Sequence, residues 1–370
     1  MNQPVNIAIV GLGKMGISHL SIANATDSLN VVAVCDSASL VGQMIERYCK
    51  IPFVADYDKL IATPGLQAVV IATPTRFHEK MVEDAIERGL HVFCEKPMTL
   101  SGAASERLAA LGRERGKVCQ VGYHNRFVGT FGEVRRLLDL GTIGRVRHVH
   151  AEAYGPVVLK PAAKTWRSKP TEGGGALYDY AAHPINLMNW YVGEPLVCGG
   201  AELAPLFSAD VDDAVYANLR FASGATGQVS VNWSDETHRK MTTRLTLFGD
   251  KGKIIVDRQE LQIHIGANGV VPDGYKQGWT VKYITELTPN VGFYLRGEEY
   301  SAQIAAFGDA IQQGNLDYIN DFASGAVTDK TLEMIRARAL TEPPPAEIIT
   351  AALQGQRRAG RGLFARVMGR

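Results

Sequence analysis

The first third of the chain alternates short, almost wholly apolar runs with longer stretches of helical period. Val5–Val10 leads into a glycine-rich turn and then apolar positions at Ile17, Leu20 and Ile22. Residues 31–35 lead into Leu40, Met44, Ile45 and Tyr48. Apolar runs at 52–54, 68–72 and His91–Cys94 continue the series, with helical segments at 57–62 and 79–88 between them. Runs that are apolar at every position suit strands buried on both faces, and their alternation with helices predicts a doubly wound parallel sheet. From Arg145 the pattern changes to longer strands at Val146–Tyr154, 196–203, Ala214–Phe221, 226–233 and 243–248, with shorter ones at 254–256 and 261–265. Several alternate polar and apolar side chains, as in Gln228 to Trp233, which predicts a large, mostly antiparallel open sheet. Helices at 301–312 and 332–340 close that part. The fold class is therefore α/β: a doubly wound Rossmann domain over 1–123 and an α+β domain over 124–342. A basic tail over 343–370 is opened by Pro343, Pro344 and Pro345.

The turn Gly11-Leu12-Gly13-Lys14-Met15-Gly16 lies between the first strand and the first helix. In that context Gly11 and Gly13 allow a tight turn and close backbone approach to a pyrophosphate, and Gly16 lets the helix pack near the strand. Lys14 and Met15 fall at the same cofactor edge. Asp36, at the end of the second strand, can accept hydrogen bonds from ribose hydroxyls and repels a 2′-phosphate, so NAD is favoured over NADP unless a basic residue from elsewhere reverses the preference. Lys96, in Glu95-Lys96-Pro97, also follows a strand, on the carboxyl edge where doubly wound sheets bind ligands. Its amine could hydrogen-bond a substrate hydroxyl and help remove its proton. Asp179 and His183, four apart in a helical pattern over 176–191, should project from one face and offer a carboxylate and an imidazole to one ligand. The imidazole is the natural proton acceptor when a secondary alcohol becomes a ketone. Gly173, Gly174 and Gly175 permit close approach before this helix, and Pro184 predicts a bend within it.

Together the glycine turn, Ala72-Thr73-Pro74 with His78, Cys94-Glu95-Lys96-Pro97, and Trp166-Arg167 followed by Gly173 to His183 make the chain similar, over nearly its whole length, to the Gfo/Idh/MocA oxidoreductases. The resemblance implies an NAD(P)-dependent enzyme acting on a secondary alcohol of a sugar, polyol or inositol-like compound, with Lys96, Asp179 and His183 as its catalytic group. His183 would be the general base, Lys96 would hold the reacting oxygen and relay its proton, and Asp179 would orient the substrate through a neighbouring hydroxyl. Thr73, Pro74, His78, Glu95, Lys96 and Arg167 would join the cofactor contacts, with His78 near the nicotinamide. Tyr123, Asn125, Arg126, Tyr154 and Tyr180 are weaker candidates for lining the substrate pocket. A homodimer or homotetramer built on the second sheet is implied. Two positions depart from the family pattern: Asn186 stands where many members carry an acid, and Ala181 where glycine is common.

A length of 370 residues accommodates two domains, and a net charge of +1 argues against a general nucleic-acid binder. The amino terminus enters a strand without a signal-like segment, and no apolar run reaches spanning length, so a cytoplasmic enzyme is expected. Cys35, Cys49, Cys94, Cys119 and Cys198 lack metal-ligand spacing and read as buried reduced thiols, with no metal site. His19, His91, His124 and His150 read as packing or surface residues. Lys160, Lys164, Arg167 and Lys169 form a basic loop that would serve a sugar diphosphate, so the rival substrate is a nucleotide sugar oxidised at its 3-position. A rival of another class is a non-catalytic NAD-binding regulator, and a third is glycoside hydrolysis through transient oxidation. The last fifteen residues carry five arginines and no acid, which reads as a solvated tail or subunit-contact arm rather than a lipid or nucleic-acid contact.

Overall fold

A computed structural model describes residues 3–160 and 165–340; Lys164 and the tail from 343 lie outside them. The first domain carries a five-stranded parallel sheet of order β2-β1-β3-β4-β5. Its strands are β1 (Val5–Val10), β2 (Leu29–Cys35), β3 (Ala68–Ile71), β4 (His91–Cys94) and β5 (Cys119–Val121). Helices α1 (Lys14–Asn24), α2 (Ser39–Cys49), α3 (Tyr57–Ile61), α4 (His78–Glu87) and α5 (Gly102–Glu114) connect them. The apolar runs lie where their composition requires: β3 is buried at all four positions, and β1 at all but Asn6. The run at 52–54 makes only a single bridge, Val34 to Phe53, instead of a strand.

The second domain begins with α6 (Gly129–Asp139) and holds an eight-stranded sheet of order β13-β12-β11-β10-β6-β9-β8-β7. These strands are β6 (Val146–Tyr154), β7 (Pro195–Ala204), β8 (Ala214–Phe221), β9 (Thr226–Asn232), β10 (Arg244–Gly249), β11 (Gly252–Asp257), β12 (Glu260–Ile265) and β13 (Gly278–Tyr283). Every pairing is antiparallel except β6 with β9. One face buries Val149, Ala151, Val229, Val231, Leu245 and Leu247 beneath helix α7 (Ala182–Val192). The other face is open, and along β13 it exposes Trp279, Val281 and Tyr283.

The last helices return to the first domain. A short α8 (Ile284–Leu287) precedes α9 (Glu298–Gln313), whose Ile304, Phe307 and Ala310 share a core with Ile7, Ile9 and Phe93. Helix α10 (Phe322–Leu340) packs on α5, where Asp329 Oδ2 accepts hydrogen bonds from Thr99 N at 3.1 Å and Ser105 Oγ at 2.7 Å. Four cysteines are buried as expected, and Cys49 is exposed at the end of α2. Burial pushes the thiols of Cys35 and Cys94 up, which keeps them protonated and unreactive.

Candidate active site

Three loops converge beyond the carboxyl ends of the parallel strands. The first is the glycine turn. Gly11 takes φ 90°, and a Cβ there would sit 2.7 Å from the Ala72 carbonyl oxygen, so the turn is pressed onto the Thr73 loop. A Cβ on Gly13 would meet nothing within 4 Å, and α1 starts with no side-chain cap, which leaves first-turn N–H groups facing open space. Asp36 accepts from Leu12 N at 2.5 Å and Ala38 N at 2.7 Å, placing its carboxylate against the same turn. An open backbone cradle, a free helix start and an adjacent carboxylate are the donor and acceptor set that fits a dinucleotide.

The second loop carries Lys96. Its neighbour Glu95 turns inward: Oε1 meets His19 Nε2 at 2.6 Å, and Oε2 accepts from Lys96 N at 3.2 Å. Burial alone would raise the Glu95 carboxyl, but His19 and Lys96 outweigh it and hold the group below its ordinary range. Glu95 thus supports the lysine from a largely covered position, and His19, on α1, is its partner rather than simple packing. His78 is also relocated from the expected nicotinamide contact. Its two ring nitrogens face the carbonyl oxygens of Pro97, at 3.0 Å, and Thr73, at 2.9 Å, so the buried ring brackets two loops and has no nitrogen left for a ligand. Thr73 directs its hydroxyl to Met81 Sδ at 3.7 Å, and Pro74 is exposed.

The third loop leads into the Asp179 segment. The expected single helix is instead a π-helical turn, Leu177–Ala181, followed by α7, with Pro184 in the first turn of α7. The wide turn absorbs the bend expected at the proline, since the ring supplies no N–H to an α-helical ladder there. Asp179 turns to the cations: Oδ1 accepts from Lys96 Nζ at 3.0 Å and Oδ2 from Arg167 Nε at 3.0 Å, while its main-chain oxygen accepts from Lys96 Nζ at 2.9 Å. Burial would raise its carboxyl, yet the two cations hold it below the ordinary range. With each carboxylate oxygen accepting from one of them, Asp179 positions Lys96 and Arg167. Arg167 also lies over the Trp166 ring at 4.5 Å.

His183 turns instead to a cleft of about 1450 Å³, whose wall also includes His124, Asn125, Tyr154, Arg258 and Tyr300. Burial drives its imidazole pKa well down, and the charges of Lys96 and Arg258 push the same way. His183 is therefore neutral at neutral pH, able to take a proton, and electrostatically coupled to the Lys96 amine. His124, read from sequence as packing, lies 4.9 Å ring to ring from His183 and stacks on Tyr300 at 4.5 Å. Its one sequence signal is its place just after the fifth parallel strand. Tyr154 lines the cleft, hydrogen-bonded to Ser230 at 2.7 Å and stacked on His238.

Three other pocket candidates lie elsewhere. Tyr123 is a core residue, edge-on to His183 at 6.3 Å, and Tyr180 is buried against Trp233. Arg126 is buried under Trp190 and donates to Asn186 Oδ1 at 2.8 Å. That bond gives Asn186 its role: its amide bridges Arg126 and, through Nδ2, Thr328 Oγ1 at 3.0 Å. In the basic loop, Lys169 pairs with Glu172 at 3.1 Å and Arg167 with Asp179, so these two charges are committed within the protein. Among the described residues no cluster of His, Cys, Asp or Glu could hold a metal ion, and no helix is long and apolar enough to cross a membrane.

The model of an oxidoreductase family described by its NAD-binding Rossmann fold matches residues 5–123, and that of the Gfo/Idh/MocA C-terminal domain matches residues 131–255. The chain belongs to the Gfo/Idh/MocA family. Among family relatives, a levoglucosan dehydrogenase of Pseudarthrobacter phenanthrenivorans is 27% identical over 318 residues, covering 75% of this chain and 80% of its own length. A scyllo-inositol 2-dehydrogenase (NAD(+)) of Bacillus subtilis is 28% identical over 268 residues, 69% of this chain and 75% of that protein. Among solved structures, levoglucosan dehydrogenase in complex with NADH superposes with a TM-score of 0.81 at 23% identity over 91% of this chain and 97% of that one, a likeness of fold. The Gfo/Idh/MocA architecture accounts for the Rossmann domain and the large second sheet together, and the first domain is an NAD-binding Rossmann domain.

Proposed function

We propose that this NAD-dependent oxidoreductase oxidises, or in reverse reduces, a secondary alcohol carbon of a sugar or polyol, with His183 taking the hydroxyl proton. The observation that carries the reading is the coupling of Lys96 and His183: an amine fixed by two bonds to Asp179, and a neutral imidazole in the cleft wall within reach of that amine's field. When bound, NAD supplies the acceptor for the carbon-bound hydrogen. Lys96 retains one N–H beyond the two it donates to Asp179, and that donor holds the substrate oxygen. His183, unprotonated at neutral pH, accepts the proton as the carbonyl forms. Its Nδ1 is buried without a hydrogen-bond partner. The levoglucosan and scyllo-inositol dehydrogenases support a sugar or polyol as the substrate class.

A panel of sugars, inositols and nucleotide sugars, followed by nicotinamide absorbance, tests the reading. At least one neutral or charged sugar or polyol should yield NADH, and Lys96→Met should abolish turnover while NAD affinity by calorimetry stays near wild type. Undiminished turnover in Lys96→Met would remove the mechanism. The open face of the second sheet supports a homodimer or homotetramer, because Phe248, Trp279, Val281 and Tyr283 leave a broad apolar surface exposed. Light scattering should give a mass of two or four chains, and Trp279→Glu with Val281→Glu should lower it.

A further inference from the structure

Resting on that reading, the inference concerns which sugars the cleft takes. Arg296 stands at its mouth in a left-handed conformation, φ 66°, which a side chain bearing a Cβ adopts at a cost. Gly297 follows at φ 140°, where a Cβ would collide with the Glu299 carboxylate at 2.3 Å. The turn is therefore specialised on both sides of one guanidinium. That guanidinium lies over the Tyr300 ring at 5.3 Å, Tyr300 stacks on His124, and His124 meets His183. A ladder of planar groups thus runs from the proposed base to Arg296. A cation placed over a ring engages no carboxylate or carbonyl, which leaves the guanidinium N–H donors for an acceptor.

Among the described residues no acid occupies the guanidinium edge. Among the described residues Arg296 has no carboxylate within ion-pair distance, while the nearby Glu299 is committed to Arg258. Asp257 accepts backbone N–H groups of Gln259 and Glu260 and, like Glu152, lies opposite Arg244 in the sheet register. Over the cleft lining, Arg239, Lys240, Arg244, Arg258 and Arg296 stand against Glu152, Asp257, Glu298 and Glu299, a surplus of one positive charge. The same positive field contributes to the depressed imidazole of His124, on which burial, His183, Arg258, Lys96 and Arg296 all act downward. Asn125 Oδ1 and Thr288 Oγ1, buried in the cleft wall without partners, supply neutral hydrogen-bonding groups beside these charges.

We propose that the cleft selects a sugar acid: the substrate carboxylate docks on the free edge of Arg296, and the ladder through Tyr300 and His124 sets its distance from the alcohol that His183 deprotonates. A carboxylate matches the guanidinium edge with two parallel bonds, and a sugar acid carries it on the same small skeleton as the reacting alcohol. Arg296 is a specificity residue in this scheme and takes no part in proton transfer.

The test compares matched pairs on the NAD-loaded protein: D-glucuronate with D-glucose, D-galacturonate with D-galactose, D-gluconate with D-glucitol, and D-glucose 6-phosphate as the phosphate arm. For at least one pair the acid should exceed its neutral partner in kcat/KM by about tenfold or more, equivalent to about 1.4 kcal/mol. Arg296→Met should lower that acid-to-neutral ratio about tenfold, mainly through KM. Arg296→Gly suits the left-handed backbone, so it should melt no lower than wild type and still lose the ratio. Equal rates within every pair, an unchanged ratio in both variants, or preference for the phosphate over the carboxylate would overturn the assignment while leaving the dehydrogenase reading intact. If no compound gives NADH, the dehydrogenase reading fails, and calorimetry decides this one: uronate binding weakened by Arg296→Met sustains the carboxylate site, and absence of uronate binding ends it.

Discussion

Asp212→Asn isolates the support beneath the catalytic segment. Asp212 Oδ2 accepts from Leu177 N at 2.7 Å and its main-chain oxygen from Ala176 N at 2.8 Å, so it anchors the start of the π-helical turn that bears Asp179. The carboxylate also fills the space above Gly175, where a Cβ would lie 2.5 Å from Oδ1 at φ 103°. Burial, and after it the adjacent Asp213 charge, pushes the Asp212 carboxyl up from 3.8 to about 6. Its folded pKa being above its unfolded one, the native state holds this proton more tightly. Stability from this group is therefore present at low pH and is lost as pH rises between about 4 and about 6. A shift of about two units corresponds to about 3 kcal/mol. Asparagine keeps an acceptor for Leu177 N and carries no charge, so it should not show that loss. Denaturant unfolding of both proteins from about pH 4 to pH 7.5 gives the difference directly. Wild type should lose up to about 3 kcal/mol relative to the variant across the interval, leaving Asp212→Asn the more stable protein at neutral pH. A difference that is constant with pH would mean that the carboxyl is not shifted, and one that grows in favour of wild type as pH rises would mean that the ionised carboxylate stabilises the turn. Asp213→Asn is the contrast: that carboxylate accepts from Leu206, Phe207 and Ser208 backbone N–H groups, from Ser208 Oγ and from Trp233 Nε1, which hold it below its ordinary range. Its replacement should cost stability at neutral pH.

The acid limb of kcat/KM should report His183: because burial, Lys96 and Arg258 drive its pKa well under 6.5, activity should persist as pH falls below that value and decline only at lower pH. A limb at or above pH 6.5 in the pH–rate profile would contradict this assignment of the base. The two glycines of the turn should separate cofactor binding from folding. Gly13→Ala, entering open space, should leave the melting temperature within about 2 °C of wild type while weakening NAD binding severalfold, since its methyl occupies the cradle. Gly11→Ala, at φ 90° and 2.7 Å from a carbonyl oxygen, should destabilise the fold by at least about 1 kcal/mol in denaturant unfolding.

The architecture was legible where period and chemistry were local. Val5–Val10 and Ala68–Ile71 announce buried parallel strands by apolar composition alone, and Ala214–Phe221 announces itself by alternation. Strand β13 was not legible, because at the sheet edge its alternation is inverted: Trp279, Val281 and Tyr283 face outward and Thr280 and Lys282 are the better covered. The π-helical turn was hidden for another reason. Residue spacing fixes that a segment is helical but not whether one turn holds an extra residue. Long-range partners account for the rest: nothing near His19 names Glu95, 76 positions away, and nothing near Arg126 names Asn186, 60 positions away. Arg296 offers a further case, since an arginine before a glycine is unremarkable until its φ and its stacking are known.

These long-range pairs form a line across the molecule. His19, on the helix that opens the dinucleotide turn, meets Glu95; Glu95 accepts from the Lys96 backbone; Lys96 Nζ meets Asp179; and Asp179 meets Arg167. From Glu95 to Arg167 the charges alternate, and Glu95 and Asp179 are both shielded from solvent, so removing Lys96 strands a carboxylate in a poorly solvated place. Lys96 is thereby held by one carboxylate from each domain, Glu95 at its backbone N–H and Asp179 at its amine, with the first also touching the helix that would bear the pyrophosphate. A change in the dinucleotide turn can move Lys96 through His19 and Glu95 without any contact to substrate. Likewise a change in the π-helical turn can move it through Asp179. Lys96 is thus placed by the docking of the two domains, not by the Glu-Lys-Pro turn alone, and that turn has catalytic meaning only when the segment from Arg167 to His183 accompanies it.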